Sequence, residues 1–273
     1  MNLQKAGPAW LFCPADRPER FAKAAAAADI VILDLEDGVA ASDRAAARQA
    51  LHDTPLDPKR TVVRVNPSGT EEQALDLAAL AGTDYTTVML AKTESAAQVT
   101  ELAPRLVVAL VETPRGVVHA TEIAAADNTV AMMWGAEDLI AGLGGGSSRR
   151  ADGEYRDVAR HARATVLLSA ATFGRVKLDA VHLDIGDLAG LEAEAMDAAA
   201  VGFDATVCIH PSQTAVVRDA YRPADEKVAW ARRVLAAAES ERGVFAFEGQ
   251  MVDSPVLRHA EAILRRCDSR HNE

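Results

Sequence analysis

The chain has 273 residues, 49% of them hydrophobic, with a formal net charge of −11 and a sequence pI near 5.1. That length and apolar content suit one large core, and the acidity argues against a nucleic-acid or anionic-membrane surface, which needs a basic face. Cys13, Cys208 and Cys267 lie far apart with no CxxC pair, which argues against a disulfide framework or a zinc knuckle.

The apolar run at 9–13 is too short for a signal-peptide core, and no uncharged stretch of about 18 apolar residues follows it, so a cytoplasmic protein is expected. Short β-branched runs then recur between alanine-rich helical patterns. They predict strands at 9–13, 30–35, 61–65, 87–90, 106–111, 130–134, 180–183 and 206–209. Several are apolar throughout, as befits strands covered on both faces. Amphipathic helices are predicted at 17–28, 43–51, 71–80 and 156–173. The glycine-rich stretch 142–148, which lacks the lysine of a phosphate loop, reads as a mobile loop in the sixth strand-to-helix connection. Beyond the eighth strand come helices near 225–240 and 255–266, separated by a turn at 243–249. The class is α/β: a (β/α)8 TIM barrel over residues 1–222 with a C-terminal helical appendage over 223–273. An open doubly wound sheet is the alternative.

In a barrel, residues just past the strand C-termini face the active site. Here they are Asp16; Asp34, Glu36 and Asp37; Arg64 and Asn66; Lys92; Glu112; Gly135 to Asp138; Asp184; and His210. Glu112 and Asp138 leave adjacent strands, and two converging carboxylates either cap the following helices or share a hard cation such as Mg2+. Glu36 and Asp37 are either solvated loop acids or groups that orient metal-bound waters. Arg64 ends a buried strand and needs an anion, either one of those acids or a substrate carboxylate in two-point contact. Gly135 and Ala136 form a small-residue turn whose N–H groups could receive a carboxylate. No GxSxG, HExxH or Walker A motif is present.

Eight blocks in order carry a family resemblance. They are Leu11-Phe12-Cys13-Pro14-Ala15, Leu33-Asp34-Leu35-Glu36-Asp37-Gly38-Val39, Val63-Arg64-Val65-Asn66, Met89-Leu90-Ala91-Lys92, Val111-Glu112-Thr113-Pro114-Arg115-Gly116, Trp134-Gly135-Ala136-Glu137-Asp138-Leu139, Ile209-His210-Pro211-Ser212-Gln213 and Glu248-Gly249-Gln250-Met251-Val252-Asp253. Through them the chain resembles the citrate lyase β-subunit-like family, within the superfamily of malyl-CoA and citramalyl-CoA lyases and the HpcH/HpaI hydroxy-acid aldolases.

The resemblance implies that Glu112 and Asp138 hold Mg2+ and that Glu36 and Asp37 organise its waters. It implies that Arg64 holds the keto or hydroxy acid and that Gly135, Ala136 and Glu137 receive its carboxylate. It places coenzyme A near Asp16, Arg17 and Arg20. It makes Asp253 the acid–base group that completes a neighbouring subunit's site in a homotrimer. The implied activity is metal-dependent cleavage or formation of a β-hydroxyacyl-CoA, giving an α-keto acid and acetyl-CoA. A carrier-dependent citryl lyase subunit, or a thioesterase or malate-synthase-like activity at the same site, is the alternative. Two departures bear on the pocket. Ala91 stands where relatives have proline before Lys92, which predicts a less constrained backbone, and Pro114 stands where they have a small residue.

Overall fold

The structure, a computed structural model, describes residues 3–241 and 243–268. Eight parallel strands close a barrel in sequence order: β1 (Ala9–Pro14), β2 (Ile30–Asp34), β3 (Thr61–Val65), β4 (Thr87–Leu90), β5 (Leu106–Val111), β6 (Thr129–Trp134), β7 (Val176–Asp179) and β8 (Ala205–Cys208). β8 pairs back onto β1, with Ala9 opposite Thr206. Closure removes both sheet edges, and it settles the fold as the (β/α)8 barrel over the open sheet.

Every strand contributes to the core inside the barrel. Trp10, Ile30, Ile32, Val62, Met89, Val108, Leu110, Ala131, Met133, Val176, Leu178, Ala205 and Val207 form one buried cluster. Side chains alternate along a strand, so the next position in each series faces the same way, toward the C-terminal mouth. Two residues beyond Ile32, Val62 and Leu110 stand Asp34, Arg64 and Glu112, all buried. Two beyond Met133, Leu178 and Val207 stand Gly135, Ala180 and Ile209, which carry no charge. The apolar plug of the barrel therefore hands over to charge on one side of the mouth only, at β2, β3 and β5.

The seventh strand falls earlier than the apolar run 180–183 suggested. β7 is Val176–Asp179, and residues 180–183 form irregular backbone past its end. The lysine in Val176-Lys177-Leu178 hides the strand, yet Lys177 reaches Asp204 at 2.8 Å and keeps its charge at the barrel exterior. Asp184, placed at a strand end by the sequence, instead accepts from the backbone of Gly186 at 2.9 Å in a turn.

The sixth connection also differs. A helix, Ala136–Gly142, starts directly after β6, and the glycine-rich stretch follows it. The far end of that stretch is tied down: Ser148 is buried and donates to Glu137 at 2.5 Å, and Arg149 lies over the Tyr155 ring at 3.9 Å.

The chain divides into two compact units, Met1–Val217 and Arg218–Glu273. Within the second, helices Asp225–Ala238 and Ser254–Asp268 share a core of Val228, Ala231, Val234, Val252, Ala260 and Ile263. The predicted turn is a hairpin of β9 (Phe245–Phe247) and β10 (Gln250–Val252), whose two loop residues, Glu248 and Gly249, have φ of 48° and 79°. Two positive φ values are what a tight two-residue hairpin needs. Among the described residues, no helix is long and apolar enough to cross a membrane.

Candidate metal and keto-acid site

Arg64 is the first side chain to settle. β2 and β3 pair with Asp34 opposite Arg64, so two inward-facing side chains of opposite charge meet at adjacent strand ends. Arg64 Nε donates to Asp34 Oδ1 at 2.7 Å and Nη2 donates to Oδ2 at 2.5 Å. Its Nη1 lies 3.0 Å from Glu36 Oε2, and its carbon sits over the Phe12 ring at 4.7 Å. Asp34 also accepts the backbone N–H groups of Glu36 and Gly38, both at 2.9 Å. The two-pronged face of the guanidinium is therefore taken by Asp34, a residue the sequence did not single out as a partner.

Lys92, placed at the rim by its sequence position but without an assigned role, is the second member. It directly follows Ala91 past β4, at φ 51°, a left-handed conformation uncommon outside glycine. Its backbone is firmly held despite the missing proline. Ala91 N–H donates to Val65, Thr93 N–H donates to Leu110, and the Lys92 N–H donates to Glu112 Oε1 at 3.0 Å. The side chain carries its ammonium into the acids: 2.5 Å from Glu36, 3.1 Å from Asp37, 3.3 Å from Asp138 and 4.0 Å from Glu112. Burial alone would lower the lysine pKa, but Glu36, Glu112 and Asp37 outweigh it and hold the group charged.

Glu112 is the least compensated of these acids. It is 3% exposed, and burial together with the facing charge of Asp138 pushes its carboxyl up to about 8. Neither of these two residues caps a helix. Thr113 caps the helix Pro114–Val118, accepting from Gly116 N–H at 3.0 Å, and the helix after β6 starts at Gly135 with no side-chain cap. A Cβ at Gly135 would lie 2.8 Å from Glu112 Cβ and 2.9 Å from Oε2, so glycine leaves the room that Glu112 occupies. Two hard oxygen donors that repel one another, one of them deeply buried, suit a small divalent cation.

The remaining predicted residues fall into two places. Ala136 and Glu137 open the helix after β6, with the Glu137 carboxylate turned to Ser148 and not to the acids. Asp16, Arg17 and Arg20 lie on the first strand-to-helix connection, where Arg17 is 3.7 Å from Asp16 and Arg20 is 3.9 Å from Glu19. His210 is local: its Nδ1 is 2.8 Å from Ser212 Oγ at the start of the following helix. Asp253, in the second unit, accepts from Val256 N–H at 3.3 Å. The structure thus gathers Asp34, Glu36, Asp37, Arg64, Lys92, Glu112 and Asp138. Asp34 and Lys92 were expected at the rim without a role; the register of Asp34 with Arg64 and the reach of Lys92 to Glu36 supply it.

The sequence profile of the HpcH/HpaI aldolase/citrate lyase family matches residues 9–211. A citrate lyase subunit beta-like protein of Mycobacterium tuberculosis is 76% identical over 273 residues, the full length of both chains. Human mitochondrial citramalyl-CoA lyase is 32% identical, covering 85% of this chain and 77% of its own. A crystal structure of the M. tuberculosis protein CitE in complex with magnesium, acetoacetate and coenzyme A superposes with a TM-score of 0.94. It covers 97% of this chain and 99% of its own at 76% identity.

Proposed function

The chain belongs to the HpcH/HpaI aldolase/citrate lyase family, and from that premise we propose that it is a cytoplasmic, Mg2+-dependent carbon–carbon lyase. It cleaves, or in reverse forms, a β-hydroxyacyl-CoA such as malyl-CoA or citramalyl-CoA, giving an α-keto acid and acetyl-CoA. One observation carries the reading: Glu112 and Asp138 converge at one rim with a cation, the Lys92 ammonium, 4.0 and 3.3 Å away, and with Arg64 behind them. Relatives whose names specify malyl-CoA and citramalyl-CoA supply the substrate class.

Glu112 and Asp138 would hold the cation, and Glu36 and Asp37 would orient its waters. Bound there, Mg2+ supplies Lewis-acid polarisation of the substrate hydroxyl and carboxylate oxygens. As the hydroxyl gives its proton to solvent water and becomes a carbonyl, the neighbouring carbon–carbon bond breaks and its electron pair passes to a thioester enolate. Arg64, immobilised by Asp34, presents its Nη1 edge to the negative charge that develops on the keto-acid oxygen. The N–H groups of Ala136 and Glu137 receive the acid's carboxylate. Asp253 donates a proton to the enolate carbon, and in the condensing direction removes one from acetyl-CoA. In this reading residues 1–222 form the catalytic barrel. Residues 223–273 form an extension that brings Asp253 to a neighbouring subunit of a homotrimer, and Asp16, Arg17 and Arg20 meet coenzyme A.

The test is keto-acid release from malyl-CoA, citramalyl-CoA and citryl-CoA by the purified chain alone, with Mg2+ and with EDTA. Cleavage of at least one, abolished by EDTA, is expected. Failure on all three while keto acid still binds would replace the free-standing lyase with a carrier-dependent subunit.

A further inference from the structure

Lys92 has four acidic neighbours and three N–H donors. The ammonium donates to Glu36 at 2.5 Å and Asp37 at 3.1 Å, while its contacts with Asp138 at 3.3 Å and Glu112 at 4.0 Å are ion pairs. The ammonium therefore spans two pairs of acids. Glu36 and Asp37, from the loop after β2, hold it closely, and Glu112 and Asp138, from β5 and β6, hold it less closely. Its backbone is fixed at φ 51° by the Glu112 carboxylate itself, so the side chain departs from a single strained point and has no freedom to start elsewhere. Counting Asp34, the cluster holds five carboxylates whose positive partners among the described ion pairs are Arg64 and Lys92, and Arg64 is committed to Asp34 and Glu36. Lys92 is the sole cation among the described ion pairs that reaches Glu112 and Asp138.

We propose that Lys92 is a tethered counter-ion for the metal site. Without metal its ammonium neutralises Glu112 and Asp138; when a divalent cation enters, the ammonium gives up those two oxygens and stays on Glu36 and Asp37. Lys92 and the metal are thus competitors for the same pair of carboxylates, and the lysine sets how tightly the site holds its cation. This is a positioning role, in which Lys92 acts through the acids it touches. The competition has two consequences of opposite sign: Lys92 steadies the metal-free barrel and weakens the metal complex. The inference rests on the reading of Glu112 and Asp138 as the metal pair, but not on the reaction that follows.

The experiment is calorimetric titration of Mg2+ into the metal-free full-length chain, paired with melting curves at rising Mg2+. Wild type is compared with Lys92→Met, Lys92→Gln, Lys92→Arg and a surface control, Lys23→Met, which removes the same formal charge from an exposed helix position. Lys92→Met should bind Mg2+ at least tenfold more tightly than wild type and melt lower without metal, with the gap closing as Mg2+ is added. Lys92→Arg should stay within about threefold of wild type and the control within about twofold, because each keeps a cation on the acids. If Lys92→Met does not fold without metal, Lys92→Gln, which keeps the stem and an amide donor, takes its place in the titration. Equal or weaker Mg2+ binding by the Met and Gln variants overturns the counter-ion role while leaving the metal site standing. No Mg2+ binding by any of the proteins overturns both.

Discussion

Gly135 follows β6 with φ −125° and ψ 123°, a conformation open to any residue, so its identity is a matter of space and not of torsion. Its missing Cβ would fall 2.8 Å from Glu112 Cβ, an atom that cannot swing aside as a side-chain tip can. Gly135→Ala should therefore move Glu112 bodily, cost about 1–3 kcal/mol of stability through overpacking, and weaken Mg2+ binding at least tenfold. Calorimetry and urea unfolding read the two effects separately, and wild-type Mg2+ affinity would show that Glu112 is not placed by this contact. Cys13, on β1, offers a pH-dependent test. Burial pushes its thiol up to about 11 against the opposing pull of Arg20. The sign follows: the proton is held more tightly in the folded chain, so the thiol's stabilising contribution is whole below the ordinary value near 9.0 and is lost as pH rises toward 11. At pH 8 the thiolate fraction in the native chain should be about 100-fold below that of the unfolded chain. Pulse alkylation with iodoacetamide and peptide mapping should show Cys13 labelled only after denaturant is added; rapid native labelling would contradict the burial.

At the scale of elements, β6, β7 and the helices outside them are joined by one carboxylate. Asp179 closes β7 and accepts the Trp134 indole N–H from β6 at 2.6 Å. It also accepts Arg163 Nη2 at 2.8 Å from the helix Asp157–Thr172. Arg163 continues to Asp197 on the helix Leu188–Val201 at 2.7 Å. Asp179→Ala leaves a partly buried guanidinium and a buried indole N–H without their shared acceptor, and should cost about 3 kcal/mol. The midpoint of urea unfolding measures it; a loss under about 1 kcal/mol would mean that Asp197 alone compensates Arg163. Asp179 also marks what the sequence could and could not disclose. Strands β1 to β6 and β8 were legible because each holds at least three consecutive apolar or β-branched residues. β7 was not, because Lys177 and Asp179 interrupt it, and the cross-element bonds that make those charges tolerable are visible only in three dimensions. The rim acids and Arg64 were legible from their place after strands. Asp34 and Lys92 were legible as rim residues too, but their partners were not: Asp34 meets Arg64 through strand register, and Lys92 meets acids that follow other strands.

At the scale of the whole molecule, the proposed acid–base group and the proposed metal pair lie in different compact units, Asp253 in Arg218–Glu273 and Glu112 with Asp138 in Met1–Val217. The proposed trimer assigns each site a barrel from one subunit and Asp253 from its neighbour, and that arrangement has an arithmetic consequence. Arg64→Ala removes a barrel function and Asp253→Asn removes an appendage function, so each homotrimer is inactive at all of its sites. Asp253→Asn should still bind keto acid in the presence of Mg2+, since its barrel is intact. When the two variants are co-expressed in equal amounts and assemble at random, a site works if an intact barrel meets an intact Asp253 from the adjacent chain. That occurs for one site in about four, so activity should return to roughly a quarter of wild type. A group serving its own chain gives no recovery at any ratio, because every chain carries one lesion. Comparing co-expressed protein with separately purified variants mixed after assembly, each assayed on the substrate that wild type cleaves, therefore distinguishes a site shared between subunits from one completed within a chain. A wild-type rate from Asp253→Asn alone would remove Asp253 from the chemistry altogether.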